Sequence, residues 1–286
     1  MISGGSRTLG DALRFATEML EKTTIDGYDI EARLLTEWAC DAARIDFVSQ
    51  PNMLISNDKF RLLEIVLARR IAGEPVHRIM GFRDFYGLRL ELGPETLEPR
   101  SDSEVLVDLA LELMSNTPPK TMLDLGTGTG ALALALLSVF HQATVIATDI
   151  SQGALAIAAK NARTNGFAAR FSGLQSDWFD KVEGRFDLIV SNPPYIRSSV
   201  IPDLDIEVRN HDPILALDGG PDGLAPYRII ASKAKTYLHT NGMILVEIGF
   251  DQADDVANLF KSNGFSKVVL KQDLGGRDRV LAFAVA

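Results

Sequence analysis

The sequence is poor in the side chains that form disulfides and bind metal ions. Among its 286 residues there are one cysteine, Cys40, and four histidines without ligand spacing. A single cysteine cannot form an internal disulfide, and structural zinc sites need four Cys or His ligands. The sequence therefore excludes a disulfide-rich secreted scaffold and a structural zinc protein, and it predicts no metal site. Cys40 lies on a helical face, so we interpret it as an inert core residue.

Long hydrophobic runs and an excess of basic charge are also missing. The longest mostly apolar stretch, residues 131–140, is far shorter than the roughly 20 residues that span a bilayer. The first ten residues lack the charged start and apolar segment of a signal peptide. We therefore expect a soluble, cytoplasmic protein that does not bind membranes. A formal charge of −9 argues against direct nucleic-acid binding, because phosphate contacts come from Lys and Arg.

What the sequence does contain is enough apolar chain for about two domains. Residues 9–72 carry apolar positions at helical spacing, which predicts a small all-helical N-terminal domain at 1–75. Residues 76–100 shorten this pattern between glycines, as in a β-hairpin connector, and residues 101–286 form the main domain. The stretch 59–83 holds six basic and two acidic residues. It is either a solvated helix face or a patch for a partner.

Strands alternate with helices through the main domain. A Ser-x-x-Glu capping box at 101–104 predicts the first helix start. The alternation predicts an α/β fold in which a mostly parallel sheet is covered on both faces, with ligands at the carboxyl ends of the strands. Strands are predicted at 121–125, 144–148, 169–174, 186–190, 243–248, 267–270 and 279–285, and helices at 131–139, 152–165, 224–238 and 252–262.

A glycine-rich turn joins the first of these strands to its helix. It reads Gly126-Thr127-Gly128-Thr129-Gly130, and glycine there lets the backbone turn tightly and approach a ligand. The segment also fits a loose dinucleotide fingerprint, so by itself it does not choose between NAD and another adenosine cofactor. Asp124, inside the strand, is unusual for a buried position and favours the version of this loop found in methyltransferases.

Three further side chains follow the next strands. Asp149 ends the second strand, where an acid can accept hydrogen bonds from both hydroxyls of a ribose. Asp177 and Trp178 follow the third strand and can flank an adenine, one accepting from its amino group and the other packing on its face. We therefore predict that all three bind the cofactor, together with the glycine-rich turn.

The tetrapeptide Asn192-Pro193-Pro194-Tyr195 follows the fourth strand. Prolines have no N–H and force the residue before them into an extended conformation, which leaves the Asn192 side-chain oxygen and the Pro193 carbonyl as acceptors. Two adjacent acceptors suit a planar NH2 group with its two donors, and Tyr195 can lie against the flat face of that group. We predict Asn192, Pro193 and Tyr195 as catalytic residues and all four as substrate-binding residues.

Such a site is suited to a poorly nucleophilic nitrogen, whose lone pair is delocalised into a π-system. Fixing both N–H bonds aims the lone pair at an electrophile such as the sulfonium methyl of S-adenosylmethionine, and orientation of this kind contributes up to about 7 to 11 kcal/mol. No general base is needed, and this loop offers no convincing one. Glu247, near the end of its strand, either serves the site or pairs locally.

These residues resemble the glutamine-N5 methyltransferases of peptide chain release factors, the family called PrmC or HemK. The resemblance runs from about residue 73 to the C-terminus. Besides the tetrapeptide, it is carried by Gly73-Glu74-Pro75-Val76, Gly81, Phe85, Gly87, Pro99-Arg100-Ser101-Asp102-Ser103-Glu104, residues 123–130, Ser176-Asp177-Trp178-Phe179, Val208-Arg209, Pro213, Ala216-Leu217, Gly219-Gly220, Asp222-Gly223-Leu224, Tyr227-Arg228 and residues 273–279.

The resemblance implies a Rossmann-like class I methyltransferase that uses S-adenosyl-L-methionine and releases S-adenosyl-L-homocysteine. It implies that residues 126–130, Asp149, Trp178 and Asn192 hold the cofactor. It also implies that residues 192–195 hold the glutamine of a Gly-Gly-Gln motif, while the helical domain grips the release factor. The sequence departs from the family pattern at His77-Arg78, at Ser103 in place of Thr, and at His211-Asp212, where a glutamate is common.

Three other functions share part of this pattern. DNA adenine and ribosomal RNA guanine methyltransferases use the same two acceptors for a planar amine, but the acidic charge argues against a nucleic-acid substrate. A nicotinamide dehydrogenase would use the glycine-rich turn and Asp149, yet it leaves the tetrapeptide unexplained. A binding module without catalysis would have no use for an intact cofactor site.

Overall fold

The computed structural model describes residues 7–286, and the chain divides into two compact units, Met1–Gly81 and Phe82–Ala286. Part of the segment on which the expectation of a missing signal peptide rests, residues 1–6, lies outside the described range. Within that range no helix combines the length and the apolar character needed to cross a membrane.

The first unit is built from helices around its own apolar core. Thr8 and Asp11 form a reciprocal capping box that fixes the start of the first helix. Contrary to the expectation of an all-helical domain, the segments before the first helix and before the fourth pair as two short antiparallel strands. The elements are β1 (Arg7–Thr8), α1 (Leu9–Leu20), α2 (Tyr28–Cys40), α3 (Asp46–Ser49), β2 (Leu54–Ile55), α4 (Asn57–Ile71) and α5 (Val76–Met80).

Positions at helical spacing form the core of this unit. Leu9, Leu20, Leu35 and Leu63 are fully buried there. Cys40 is also buried in this cluster, and burial raises the pKa of its thiol. This burial confirms the interpretation of Cys40 as a core residue. A thiol that stays protonated in apolar surroundings is also a poor nucleophile.

The basic stretch 59–83 is not one solvated face. Arg70 has only 2% of its surface exposed and pairs with Glu31 at 2.5 Å. Lys59 donates to the carbonyl of Cys40 at 2.5 Å. The buried face of α4 therefore includes one cation, Arg70, among its apolar side chains.

The second unit holds a hairpin and a sheet that is seven-stranded within the described residues. Its elements are β3 (Phe82–Phe85), β4 (Leu88–Glu91), α6 (Glu104–Met114), β5 (Thr121–Leu125), α7 (Ala131–Val139), β6 (Thr144–Asp149), α8 (Gln152–Thr164), β7 (Phe171–Gln175), β8 (Phe186–Ser191), α9 (Ile206–His211), α10 (Ala225–Ala234), β9 (Leu238–Glu247), α11 (Ala253–Ser262), β10 (Phe265–Gln272) and β11 (Asp278–Val285). Short 3-10 turns lie at Ser101–Ser103, Ile201–Asp203, Ile214–Ala216 and Lys235–Tyr237.

The strand order is β10-β11-β9-β8-β5-β6-β7, and every pairing from β9 to β7 is parallel. Strand β11 runs antiparallel to both of its neighbours. One apolar layer on the sheet holds residues of α6, α7 and α8, and the other holds residues of α10 and α11. The α/β prediction is confirmed, including a mostly parallel sheet covered on both faces.

The chain reverses direction across the sheet between β5 and β8. From β5 it winds outward through β6 and β7, and it then returns to β8 on the other side of β5. Ligands of such sheets bind outside the carboxyl ends of the strands at this switch point. The fold therefore predicts that ligand-binding residues lie in the loops that follow β5, β6, β7 and β8.

The expected helix start at residues 101–104 is wrong in its details. Ser101–Ser103 forms a 3-10 turn and α6 begins at Glu104. The N-cap residue of α6 is Ser103 and not the predicted Ser101, and Ser103 makes no side-chain cap hydrogen bond. The Glu104 carboxylate instead accepts from the backbone N–H of Tyr86 at 2.7 Å. A contact between Glu104 and the hairpin has replaced the local capping interaction. No local sequence pattern reveals that contact.

The connector predicted at residues 76–100 is divided between the two units. Val76–Met80 is a helix of the first unit, while the hairpin of β3 and β4 and the segment after it belong to the second unit. In the second unit Asn161 of α8 ties the hairpin to the glycine-rich turn, because its Nδ2 donates to the carbonyls of Glu91 and Thr129 at 3.1 and 2.9 Å.

Candidate functional site

A cavity of about 540 Å³ lies in the second unit at the carboxyl ends of the parallel strands. Its volume falls within the range of small-molecule sites in proteins. Residues that follow all four strands at the switch point line it, as the topology requires. Of the predicted site residues, those lining it are Gly126, Thr127, Gly128, Thr129, Asp149, Asp177, Trp178, Asn192 and Pro194.

The glycine-rich turn has the tight backbone that its sequence predicts. Gly126, Gly128 and Gly130 have φ values of 72°, 56° and 84°, which only glycine adopts at little cost. The N–H groups of Gly126 and Thr127 both donate to the carbonyl of Thr148, at 2.9 and 2.8 Å. The turn is therefore fixed by the neighbouring strand before any ligand binds.

Asp124 lines the cavity from the interior of β5 and is 1% exposed. Its Oδ2 accepts from the Thr127 hydroxyl at 2.6 Å, while Oδ1 has no hydrogen-bond partner among residues 7–286. The N–H of Ala133 faces the carboxyl without reaching ordinary hydrogen-bond geometry. Burial raises the pKa of Asp124 to about 7, against the smaller opposing effects of these two groups. An unpartnered acidic oxygen thus lines a largely apolar cavity.

Asp149, at the end of β6, holds the turn and the next helix in place. Its Oδ2 accepts from the Gly128 N–H and its Oδ1 from the Ser151 N–H, both at 2.9 Å. Burial raises its pKa, with Glu95 adding to the effect. Each carboxylate oxygen can accept a second hydrogen bond, so the carboxylate can also hold two hydroxyl groups of a ligand.

Asp177 and Trp178 come after β7, and both line the cavity. Asp177 is exposed, whereas Trp178 is half-buried. Trp178 has a φ of 48°, a conformation that is strained for a bulky residue. Such strain persists where the surroundings fix it, and it is common at functional sites.

The tetrapeptide after β8 brings Asn192 and Pro194 to the cavity, and Pro193 is buried beside them. Asn192 lines the cavity, and its Nδ2 donates to Ser103 Oγ at 3.2 Å. Within residues 7–286 no hydrogen bond ends on the Asn192 side-chain oxygen or on the Pro193 carbonyl. Neither oxygen has a partner in the described structure, and Asn192 is the one of the two residues that lines the cavity.

Three of the predicted residues do not line the cavity. Gly130 starts α7 and lies against Ala158. The Pro193 ring is buried, and Tyr195 is half-buried with its carbonyl held by Gln252 Nε2 at 3.1 Å. Burial, with a smaller contribution from Glu247, raises the pKa of Tyr195 to about 12. The stacking role given to Tyr195 stays a prediction.

Two cavity walls come from segments that the sequence analysis did not assign to the site. Residues 94–100, after the hairpin, form one wall, and residues 213–220, after α9, contribute to another. Arg100 of the first wall pairs with Asp212, the residue just before the second, with Nη2 at 2.9 Å from Oδ2. The family-like motifs in these two segments are the sequence feature that indicates their place at the site.

None of the acidic, histidine or cysteine side chains in the described part of the chain group in a way that could hold a metal ion. The donor set of the cavity is one of carboxylate, hydroxyl and amide groups around apolar surfaces. It suits an organic ligand that carries hydroxyl and amino groups.

Two family models match the chain. The PrmC N-terminal domain matches residues 11–81, and the methyltransferase small domain matches residues 103–205. Among solved structures, a methyltransferase from Pyrococcus furiosus matches with a TM-score of 0.54 at 20% identity, over 77% of this chain and 98% of that one. This likeness supports the class I methyltransferase fold alone.

Two curated relatives are similar over nearly their whole length. A release factor glutamine methyltransferase of Agrobacterium fabrum is 50% identical, over 99% of this chain and 99% of the relative. Another of the same description, from Caulobacter vibrioides, is 40% identical over 96% of this chain and 95% of the relative. The chain belongs to the release factor glutamine methyltransferase family.

Proposed function

We propose that this protein transfers a methyl group from S-adenosylmethionine to the side-chain amide nitrogen of a glutamine in a peptide chain release factor, within its Gly-Gly-Gln motif. The observation that carries the proposal is the pair of free acceptors, Asn192 Oδ1 and the Pro193 carbonyl, at the carboxyl end of β8. A primary amide offers two N–H donors in one plane, which two neighbouring acceptors match. Membership of the family supports the same substrate.

The cavity fits S-adenosylmethionine at both ends of that molecule. Asp149 has acceptor positions left for the two ribose hydroxyls. Asp124 Oδ1 is a buried carboxylate oxygen without a hydrogen-bond partner within residues 7–286, and the ammonium group of the methionine part would satisfy it. Trp178 and Ile150 offer apolar surface for the adenine. Asp149 alone would serve a dinucleotide equally well, so the buried Asp124 carboxyl is the group that favours an ammonium over a phosphate.

The residues of this chain would act by position. As the amide nitrogen bonds to the methyl carbon, the methyl–sulfur bond would break and leave a neutral thioether that needs no proton, and the methylated amide would release its extra proton to solvent after the transfer. When bound, S-adenosylmethionine supplies an electrophilic methyl group on a positively charged sulfur. Asn192 and Pro193 would hold both N–H bonds of the glutamine amide, which favours a pyramidal nitrogen and directs its lone pair out of the amide plane. The walls at 94–100 and 213–220 would exclude water from this nitrogen. Orientation of this kind can contribute about 7 kcal/mol or more to lowering the barrier.

Labelled methyl transfer to alternative acceptors tests the proposal. The purified protein and methyl-labelled S-adenosylmethionine are incubated with a release factor, with the same factor carrying Gln→Ala in its Gly-Gly-Gln motif, with duplex DNA and with ribosomal RNA. We expect label on the intact release factor only, and mass spectrometry should find the added methyl on the glutamine. Label on a nucleic acid but not on the release factor would overturn the proposal.

A further inference from the structure

Glu247 is a buried carboxylate beside the proposed site, and it does not line the cavity. It ends β9 and is 2% exposed. Strands β8 and β9 are parallel and pair Ser191 with Val246, so Asn192, which directly follows β8, and Glu247, the last residue of β9, come next along the two chains. Residues opposite each other in a sheet have side chains on the same face. The topology thus sets the Glu247 carboxyl next to the Asn192 amide.

Ser103, at the start of α6, is the third member of this group. Its Oγ accepts from Asn192 Nδ2 at 3.2 Å. A hydroxyl can donate as well as accept, so Ser103 alone would tolerate either orientation of the Asn192 amide. A carboxylate accepts only, so a neighbouring carboxylate favours the orientation with Nδ2 toward the protein and the oxygen toward the cavity.

The Glu247 carboxyl has the capacity for this role. Its Oε2 makes no hydrogen bond with any residue from 7 to 286. Ser103 and Asn192 both face the carboxyl and favour its ionised form, although neither reaches ordinary hydrogen-bond geometry in the structure. Hydrogen bonds of catalytic groups are often long before substrate binds and shorten in the complex.

We propose that Glu247 is a positioning residue that, together with Ser103, fixes the Asn192 side-chain amide with its oxygen toward the substrate nitrogen. The proposal rests on the function proposed above, since it assigns the acceptor role to Asn192. Glu247 acts through Asn192 and touches neither the cofactor nor the glutamine.

The charges around Glu247 make this orientation sensitive to pH. Burial raises the pKa of Glu247 to about 7, and Asp102 adds to the effect. Arg279 opposes it, and this guanidinium lies 2.9 Å from Asp273 and 3.4 Å from Asp102. The phenol groups of Tyr195 and Tyr227 also interact electrostatically with the carboxyl. Below about pH 7 a protonated Glu247 can donate, and the preference for one orientation of the amide is lost.

Nuclear magnetic resonance of the Asn192 side chain tests the orientation directly. The protein is labelled with 15N and bound to S-adenosylhomocysteine, and Asn192→Ala assigns the side-chain NH2 signals. We expect these signals to shift with a midpoint near pH 7 in the wild type and to lose that titration in Glu247→Gln. Side-chain NH2 signals whose chemical shifts change neither with pH nor on the Glu247→Gln substitution would overturn the proposal.

Kinetics provide the second measurement, with S-adenosylmethionine saturating. We expect Glu247→Gln to lower kcat by about tenfold or more while KM for the release factor changes little, because the loss lies in orientation. Its kcat should be flat from pH 6 to 8, where the wild-type kcat rises. Ser103→Thr, which keeps the hydroxyl, should retain kcat, while Ser103→Ala should lower it.

A matched substitution and the wild-type control separate the possible failures. Glu112→Gln replaces an exposed carboxylate on α6 and should leave kcat and its pH profile unchanged. A Glu247→Gln enzyme with the wild-type kcat and pH profile would overturn the positioning role. If the wild type transfers no methyl to the release factor, the proposed function fails, and the resonance titration alone then decides the role of Glu247.

Discussion

Thr127 donates its hydroxyl hydrogen to Asp124 Oδ2 at 2.6 Å, and the other oxygen of Asp124 has no hydrogen-bond partner within residues 7–286. Because burial raises the pKa of Asp124 to about 7, the folded protein holds a proton that the unfolded chain releases near pH 4. The contribution of this group to the free energy of unfolding therefore falls as the pH rises from about 4 to about 7. A bound cation would offset that loss.

This linkage predicts that S-adenosylmethionine binds more tightly as the pH rises. The ligand's ammonium group prefers the ionised carboxylate, so we expect Kd to fall by about tenfold or more between roughly pH 5.5 and 7.5. Calorimetry of the apo protein measures it. Asp124→Asn keeps the shape of the side chain, and its Kd should vary far less with pH. A wild-type Kd that is constant across this range would contradict the role of Asp124.

Two glycines of the turn should respond differently to the same substitution. A Cβ at Gly130 would lie 3.2 Å from Ala158 Cβ, whereas a Cβ at Gly126 would have no atom within 4 Å. Both have positive φ, which costs about 1 kcal/mol for alanine. Gly126→Ala should lower the free energy of unfolding by about that much. Gly130→Ala should lower it by roughly 1 to 3 kcal/mol more, because the new Cβ is crowded. Urea denaturation compares them, and equal losses would show that the contact with Ala158 has no cost.

Local patterns predicted the central strands because those strands are continuous apolar runs between turn residues. The predicted and observed bounds of β5 are the same. Strand β9 was expected at 243–248 but begins at Leu238, where it pairs with Phe186. Its first half, through His239 and Asn241, is polar and exposed. Pairing with a neighbouring strand, which no local pattern reveals, extends it.

Local patterns likewise predicted one part of the candidate site and missed another. The sequence predicted the glycine-rich turn and Asp149, because short motifs after strands carry their own chemistry. It did not assign residues 94–100 or 213–220 to the cavity, where seven of the twelve lining residues are proline, glycine or leucine. Those seven side chains carry no reactive group, so only the family-like motifs point to these segments. Only the packing of these segments against the carboxyl ends of the strands makes them walls.

The buried ion pair of the first unit should contribute to its stability. Arg70 is 2% exposed and faces Glu31 at 2.5 Å. Removing one partner of a buried pair weakens the compensation of the other charge, so Glu31→Ala should lower the free energy of unfolding by about 3 kcal/mol. Glu37→Ala, on the same helix α2, breaks the half-buried pair with Arg33 and should cost only about 0.5 kcal/mol. Thermal denaturation measures both, and equal losses would contradict the distinction.

Asn192 should be required for methyl transfer and much less for cofactor binding. Its side-chain oxygen is free, and only Nδ2 is held, by Ser103. Removing one acceptor aligned with the reacting group should lower kcat by roughly 100- to 1,000-fold in Asn192→Ala. Calorimetry should find the Kd of S-adenosylhomocysteine within about threefold of the wild type, because Asp149 and the glycine-rich turn remain. Asn263→Ala removes an exposed asparagine from the far end of α11 and should leave kcat unchanged. Normal turnover by Asn192→Ala would refute the two-acceptor mechanism, because the variant lacks the side-chain acceptor Oδ1.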